Sequence, residues 1–529
     1  MMAAARSAGG PSEPAILAAS FPSLEATFSG AKQLSAATAG LALALALTLG
    51  ILADLLIYRS QPGLNVPIWM SALVACLIVL RRRTGQAISL PQLVCLASSV
   101  LLTCLVAWRD SDTLVAFDLS LAAALLLLAV VIPGNTAVRG LSPVRLFAIG
   151  FIGLFELLAG TVGLLSQKCW EGERWRAESQ DIERATRTLL LTLAVLTLFG
   201  GLFVAADAVI EAEVAGIVDI DLAAAGRHIL VVATVGWLVA GAFWGWAAVV
   251  PEVNASIELS ESWKMRTAEN ALVLGALTLL FALFVAVQVR YLFGGRDVVE
   301  GSINLTYAEY ARRGFFELVT AALLLLPVLL ALDWARTRTR WASVVFRGLS
   351  GVLVLLVFAV MASAVQRLRI YEQTFGLTET RLYATAGMFC LGGVLLWFVW
   401  TIARVGRDRF VAGALLITVL SVLTLNVLNS DGFIAKNNTD RLGSGKLFDA
   451  DYALSLSADA VPALVARLDR LDPGDACVVA RGLIARWGQT DDTWLNWNLG
   501  RERAAEAVRD SRGELDAACA RESVSPPRR

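Results

Sequence analysis

Apolar residues in this chain come in runs of about twenty, parted by short polar connectors, and the pattern recurs from residue 36 to residue 428. A bilayer core takes roughly 20 residues of helix. The runs therefore predict spans near 36–58, 65–80, 90–108, 113–132, 144–166, 188–210, 228–250, 268–293, 307–332, 343–365, 382–403 and 410–428. They are rich in Leu, Ala, Val and Gly and lack the strict alternation of barrel strands, and in lipid only helices or closed barrels satisfy every backbone group internally. The predicted fold class is all-α, a polytopic transmembrane helical bundle of about 12 spans over residues 35–430.

The pattern changes at both ends. Residues 1–34 are polar and small, with Gly9, Gly10, Pro11 and Pro14, and the apolar run behind them is too long for a signal-peptide core, so an uncleaved, flexible N-terminal arm is expected. Residues 431–529 carry amphipathic stretches and no span, which predicts a small C-terminal helical soluble module. In it, Ser457 or Asp459 can cap a helix with Pro462 in its first turn, and Val461, Leu464, Val465, Leu468 and Leu471 follow at helical spacing. Two further helices are expected near 476–487 and 499–521.

Composition agrees with a membrane solvent: 57% of residues are hydrophobic, 17% are charged and the mean hydropathy is +0.66. Lys plus Arg and Asp plus Glu number 45 each, so no global field exists to gather nucleic acid. Charges must be read locally. The loop at 167–187 holds five basic and five acidic residues, and the connector at 211–227 is acidic, which the positive-inside rule puts outside. The basic loops 336–340 and 404–409 then fall in the cytoplasm and the tail module outside. Arg81, Arg82 and Arg83 also ask to be cytoplasmic, and with this count of spans the two demands have opposite parity.

Much familiar chemistry is excluded. His228 is the single histidine and no cysteine cluster replaces a zinc site, so no metal or other cofactor is expected. Gly443-Ser444-Gly445-Lys446 lacks the first glycine and the final Ser or Thr of a phosphate loop. Cys76, Cys95, Cys104 and Cys390 fall in or beside apolar runs, as small core filler does. Cys477 and Cys519 both lie in the tail module, where a disulfide would staple a small core.

What remains are ionisable residues at membrane depth, each costing roughly 2.5–3.5 kcal/mol at a helix centre. Glu156 is the most central, and Asp54 and Asp207 lie near span ends, where an interfacial carboxylate is the plainer reading. Glu309, Arg313 and Glu317 are spaced four apart on one helical stripe, close to Gln288, Arg290 and the Gly294-Gly295 break. They read either as a salt-bridged helix start or as a polar wall, with Arg312 or Arg313 contacting an anion. Gly241 and Gly245, flanked by Trp237, Trp244 and Trp246, form the Gly-x-x-x-Gly spacing of close helix packing.

Several blocks together resemble a known family. They are Arg290-Tyr291-Leu292-Phe293-Gly294-Gly295, the run from Tyr307 to Leu318, Leu377-Thr378-Glu379 with Arg381 and Tyr383, Asn429-Ser430-Asp431 with Ile434, Asn437 and Arg441, and Leu456 to Pro462. In order and placement they resemble the bacterial membrane proteins grouped as domain of unknown function 4153, with its relative 4173. That family tends to have proline where this chain has Ser430. The resemblance implies a bacterial multi-pass inner-membrane protein and brings no established activity, substrate or cofactor.

The leading expectation is a non-enzymatic protein whose partners are the lipid bilayer and a small solute or protein, the solute being translocated or sensed at Arg290, Glu309, Arg312, Arg313 and Glu317, with Glu156 and Asp207. A second is a membrane-embedded enzyme on a lipid-linked substrate, with Asp54, Asp110, Asp112 or Asp431 as base. A third is a scaffold subunit docking through its tail.

Overall fold

The computed structural model describes residues 34–132, 143–165, 222–248, 264–293, 315–337, 339–402, 409–442, 448–488 and 493–522. The described residues are helical throughout, apart from loops and one isolated bridge. Eleven predicted spans coincide with helices: α1 (Ala36–Leu56), α2 (Asn65–Arg83), α3 (Leu90–Val106), α4 (Asp112–Val131), α5 (Pro143–Leu165), α6 (Leu222–Ala247), α7 (Thr267–Phe293), α8 (Phe315–Ala335), α9 (Arg340–Phe375), α10 (Glu379–Trp400) and α11 (Phe410–Leu428). Among the described residues nine helices are long and apolar enough to cross a membrane, and Leu90–Val106 and Gly153–Leu165 are shorter apolar ones. The protein is therefore a multi-pass helical membrane protein. Residues 1–33 of the predicted arm, the loop at 167–187, the span at 188–210 and residues 443–446 lie outside the described residues.

Helices α1–α6 share one core and α7–α11 a second, and Leu146 of α5 and Leu415 of α11 pack against both. Serine and threonine in the spans commonly bond a carbonyl one turn back in their own helix, and a few polar side chains reach a neighbouring helix. Ser99 Oγ donates to Ala122 O at 3.0 Å and Gln92 Nε2 to Ile132 O at 2.9 Å, which fixes α3 antiparallel to α4. α1 and α6 also run antiparallel: a methyl on Gly50 would stand 2.6 Å from Val232 O, and Asp54 meets His228 at 2.8 Å.

One end of the bundle, the tail face, carries the α1–α2, α3–α4 and α9–α10 connections. The opposite, basic face carries Arg81–Arg83, Lys264, Arg266, Arg336, Arg340 and Arg409. Since α5 pairs antiparallel with α6 through Glu156–Gly245, Gly160–Gly241 and Thr161–Trp237, α5 ends and α6 begins on the tail face. Among the described residues, Arg81–Arg83, Arg336, Arg340 and Arg409 share one side, so they make no conflicting demands on sidedness. Helix α9 is longer than its predicted span: 36 residues reach about 54 Å at 1.5 Å each, well past a core of roughly 30 Å. Its last turn meets the tail, where Arg441 Nη2 donates to Gln373 O at 2.9 Å.

The tail comprises α12 (Ser430–Asp440), α13 (Ala450–Ser455), a 3-10 turn at Ala458–Ala460, α14 (Val461–Val465), α15 (Pro473–Trp487), α16 (Leu499–Asp510) and α17 (Arg512–Glu522). Asn429 separates α11 from α12 in the left-handed region at φ 56°, which asparagine tolerates, and its side chain accepts from Gly432 N at 3.2 Å. Ser457 caps the 3-10 turn, so Pro462 opens α14 as expected while Asp459 is drawn elsewhere. The expected helix 499–521 is two helices broken at Ser511. Val461, Leu464, Val465, Leu468 and Leu471 are all buried in a third core.

A disulfide joins Cys477 of α15 to Cys519 of α17 across 42 residues. Replacing both by serine is expected to cost the tail about 2–4 kcal/mol, because the unfolded segment regains its loop entropy. Melting of the purified chain with and without reductant checks this: a reductant-sensitive native transition and an insensitive variant are expected.

Candidate functional site

Most of the predicted polar patch lies outside the described residues. Glu309, Arg312, Arg313 and Asp207 lie outside the described residues, as does the side chain of Arg290, and Glu317 is exposed at the start of α8. Gln288, one turn before that end of α7, accepts from Arg367 Nη2 at 2.6 Å and from Ser363 Oγ at 3.1 Å, both on α9.

Glu156 sits where two separate sequence signals meet. Its Oε2 lies 2.8 Å from where a methyl on Gly245 would stand, and the carbonyl of Gly241 is 2.9 Å from the same point on Gly160, so the glycine spacing does close the α5–α6 crossing. The carboxyl is 5% exposed and its Oε1 has no hydrogen-bond partner.

The densest polar cluster is the seam between the tail and the bundle. The α3–α4 connection and the 3-10 turn clasp each other reciprocally. Asp110 N donates to Asp459 Oδ2 at 2.7 Å and Ala458 N to Asp110 Oδ2 at 3.2 Å. Each aspartate also takes an arginine: Arg109 Nη1 meets Asp459 Oδ1 at 3.1 Å, and Arg501 Nη1 of α16 meets Asp110 Oδ1 at 2.6 Å. Arg501 further donates to Pro62 O at 3.0 Å, and Asn498 Nδ2 to Val106 O and Arg109 O at 2.8 and 2.9 Å. Asp431, buried beside them, accepts Ser457 N at 3.2 Å through Oδ2, while its Oδ1 has no partner.

The seam continues into the bundle. Arg109 Nε donates to Asn426 O at 2.7 Å, and Asn426 Nδ2 donates to Asp118 Oδ1 at 3.1 Å. Asp118 lies six residues into α4, about 9 Å along the helix. Both residues are 0% exposed, and Asp118 Oδ2 and Asn426 Oδ1 have no hydrogen-bond partner. Asp118 Oδ2 and Asn426 Oδ1, buried acceptors on two side chains that the Asn426 amide links, are chemically suited to a proton or a small cation.

Burial raises Asp110, Asp431 and Asp459 above the ordinary carboxylate value of 3.8; Arg501 and Arg109 oppose this at Asp110 and Asp459, and hydrogen bonds from Ser457 and Ser111 oppose it at Asp431. A carboxyl raised by folding favours the protonated form. Its contribution is fully present below 3.8 and is lost as pH rises through the folded value. The seam is expected to hold tighter in mild acid than at neutral pH. Amide exchange at residues 496–501, corrected for intrinsic rates, should slow as pH falls from neutral toward 3.8, and exchange that quickens instead would refute this.

Local spacing in the sequence does not bring Asp118, Asn426, Arg109 and Arg501 together. An aspartate inside the apolar run 113–132 was a visible signal for the first. The arginines had none, since their partners lie 350 and 391 residues away along the chain. The tail also holds a cavity of about 180 Å³ lined by Leu454, Leu456, Leu464, Leu483, Arg486 and Trp487.

No curated protein matches the chain, and no solved structure does. The family model described as Domain of unknown function (DUF4153) matches residues 96–466, which hold α4, the α3–α4 connection, Asn426, Asp431 and Asp459. With more than half its length matched, from α3 through the opening of the tail, this chain belongs to the DUF4153 family.

Proposed function

We propose that this chain is a non-enzymatic sensor of a small cationic solute in the bacterial inner membrane, with its tail on the extracytoplasmic side. The observation that carries the reading is that Asp118 Oδ2 and Asn426 Oδ1 are buried without a hydrogen-bond partner at the inner end of an unbroken chain of polar contacts. From Asp118 that chain runs through Asn426, Arg109, Asp459 and Asp110 to Arg501. A solute charge settling on Asp118 changes the field at Asn426 and Arg109, and so the grip on the tail. The sidedness draws on the arginines gathered on the face opposite the tail, and on the disulfide, which suits an oxidising compartment.

An enzyme using Asp110 or Asp431 as base would need a carboxylate open to substrate. Asp431 is 1% exposed and both oxygens of Asp110 are taken by tail donors, so that reading draws no support from the seam.

The test is amide exchange at residues 496–501 in the full chain in nanodiscs, with sodium or ammonium replacing choline at constant ionic strength. The native chain is expected to change its protection with the small cation, and Asp118→Asn to lose that response. A response that survives Asp118→Asn unaltered would remove the proposal.

A further inference from the structure

The basic face holds a second site, independent of the seam, where α2 ends against the last turn of α6. Arg81 there is 6% exposed, and its guanidinium lies 4.5 Å over the Trp246 ring. One of its Nη atoms donates to Trp246 O, and Gln86 Nε2 donates to Ala247 O at 3.2 Å, so these residues satisfy orphan carbonyls at the α6 C-terminus. Trp246 is itself held by its Nε1 donating to Leu77 O at 2.8 Å. The arginine is thus fixed in place by its surroundings.

Capping α6 does not use up this charge. A helix C-terminus offers about half a negative charge, whereas Arg81, Arg82 and Arg83 bring three positive ones. None of the three forms an ion pair among the described residues, and Arg81 Nε is buried with no hydrogen-bond partner. A buried cation without an anion is costly, and at the end of a spanning helix the anion at hand is a headgroup phosphate.

We propose that Arg81, Arg82 and Arg83, with the Trp246 platform, bind the phosphate of an anionic phospholipid. Arg81 supplies the rigid contact and the exposed Arg82 and Arg83 the surrounding charge. A free phosphate ion shares the chemistry but has no chain to lie along α2.

The full-length chain in detergent, studied by native mass spectrometry with phosphatidylglycerol, phosphatidylcholine and inorganic phosphate as separate probes, decides this. Phosphatidylglycerol is expected to bind in preference to phosphatidylcholine. Its affinity should fall about tenfold in Arg81→Gln, the loss of one charge-assisted contact, and be partly kept in Arg81→Lys. The exposed double variant Arg82→Ala/Arg83→Ala, which disturbs no packing, should also weaken it and serves if Arg81→Gln fails to fold. Native affinity in both Arg81→Gln and the double variant overturns the site. Inorganic phosphate binding as tightly as the lipid, with the same dependence on Arg81, overturns the lipid assignment.

Discussion

Arg109→Ala is expected to detach the tail from the bundle, at a cost of about 3–5 kcal/mol. The Arg109 and Asp459 side chains are 6% and 3% exposed, so removing the arginine strands a carboxylate in a dry seam and leaves Asn426 O without its donor. Water cannot readily make good the loss. The double variant Arg109→Met/Asp459→Leu should regain only part of the stability, because an apolar pair can replace the buried ion pair at little cost while Asn426 O and Asp110 N stay without their partners. Protease susceptibility of the tail and exchange at residues 498–501 provide the measurement. A single variant that melts and exchanges like the native chain would show that the pair contributes nothing to docking.

The second large effect is expected at the α5–α6 crossing. In Gly241→Ala the new methyl would run into the carbonyl of Leu157 and stand 2.9 Å from that of Glu156. Both obstacles are backbone and cannot rotate aside, so the helices must part, at a cost near the top of the usual overpacking range or about 3 kcal/mol. Gly275→Ala on α7 is the control. A methyl there meets nothing within 4 Å, and the residue is mid-helix, so the change should be neutral or stabilising by about 0.5–1 kcal/mol. Abundance in membranes and melting in detergent should separate the two. Equal losses would mean that the crossing is not what matters at Gly241.

What was legible in the sequence follows the range of the forces involved. Apolar runs act locally, and α1–α4 and α6–α11 appear where hydrophobicity alone puts them, with α5 among them. The Gly241–Gly245 spacing is equally local, since it needs only two small residues one turn apart. The seam was not legible, because Arg501 and Asp110 are brought together only by the whole fold. The break at Ser511 is not legible because both flanks, Leu499–Asp510 and Arg512–Glu522, suit a helix, and the bend between them accompanies the packing of α17 on α15. Asp118 is the instructive omission. Its place inside an apolar run is plain in the sequence, but its burial against Asn426 is decided by the fold.

The spacing of the clasp along the polypeptide bears on biosynthesis. Arg501 is 391 residues downstream of Asp110, which at 5–20 residues per second is roughly 20–80 s of translation. Through that interval the early helices must wait in the membrane with two charged side chains committed to partners not yet made. A ribosome that stalls before residue 459 leaves both unanswered, so a cell's proteases would meet the truncated product already marked by its exposed Arg109 and Asp110.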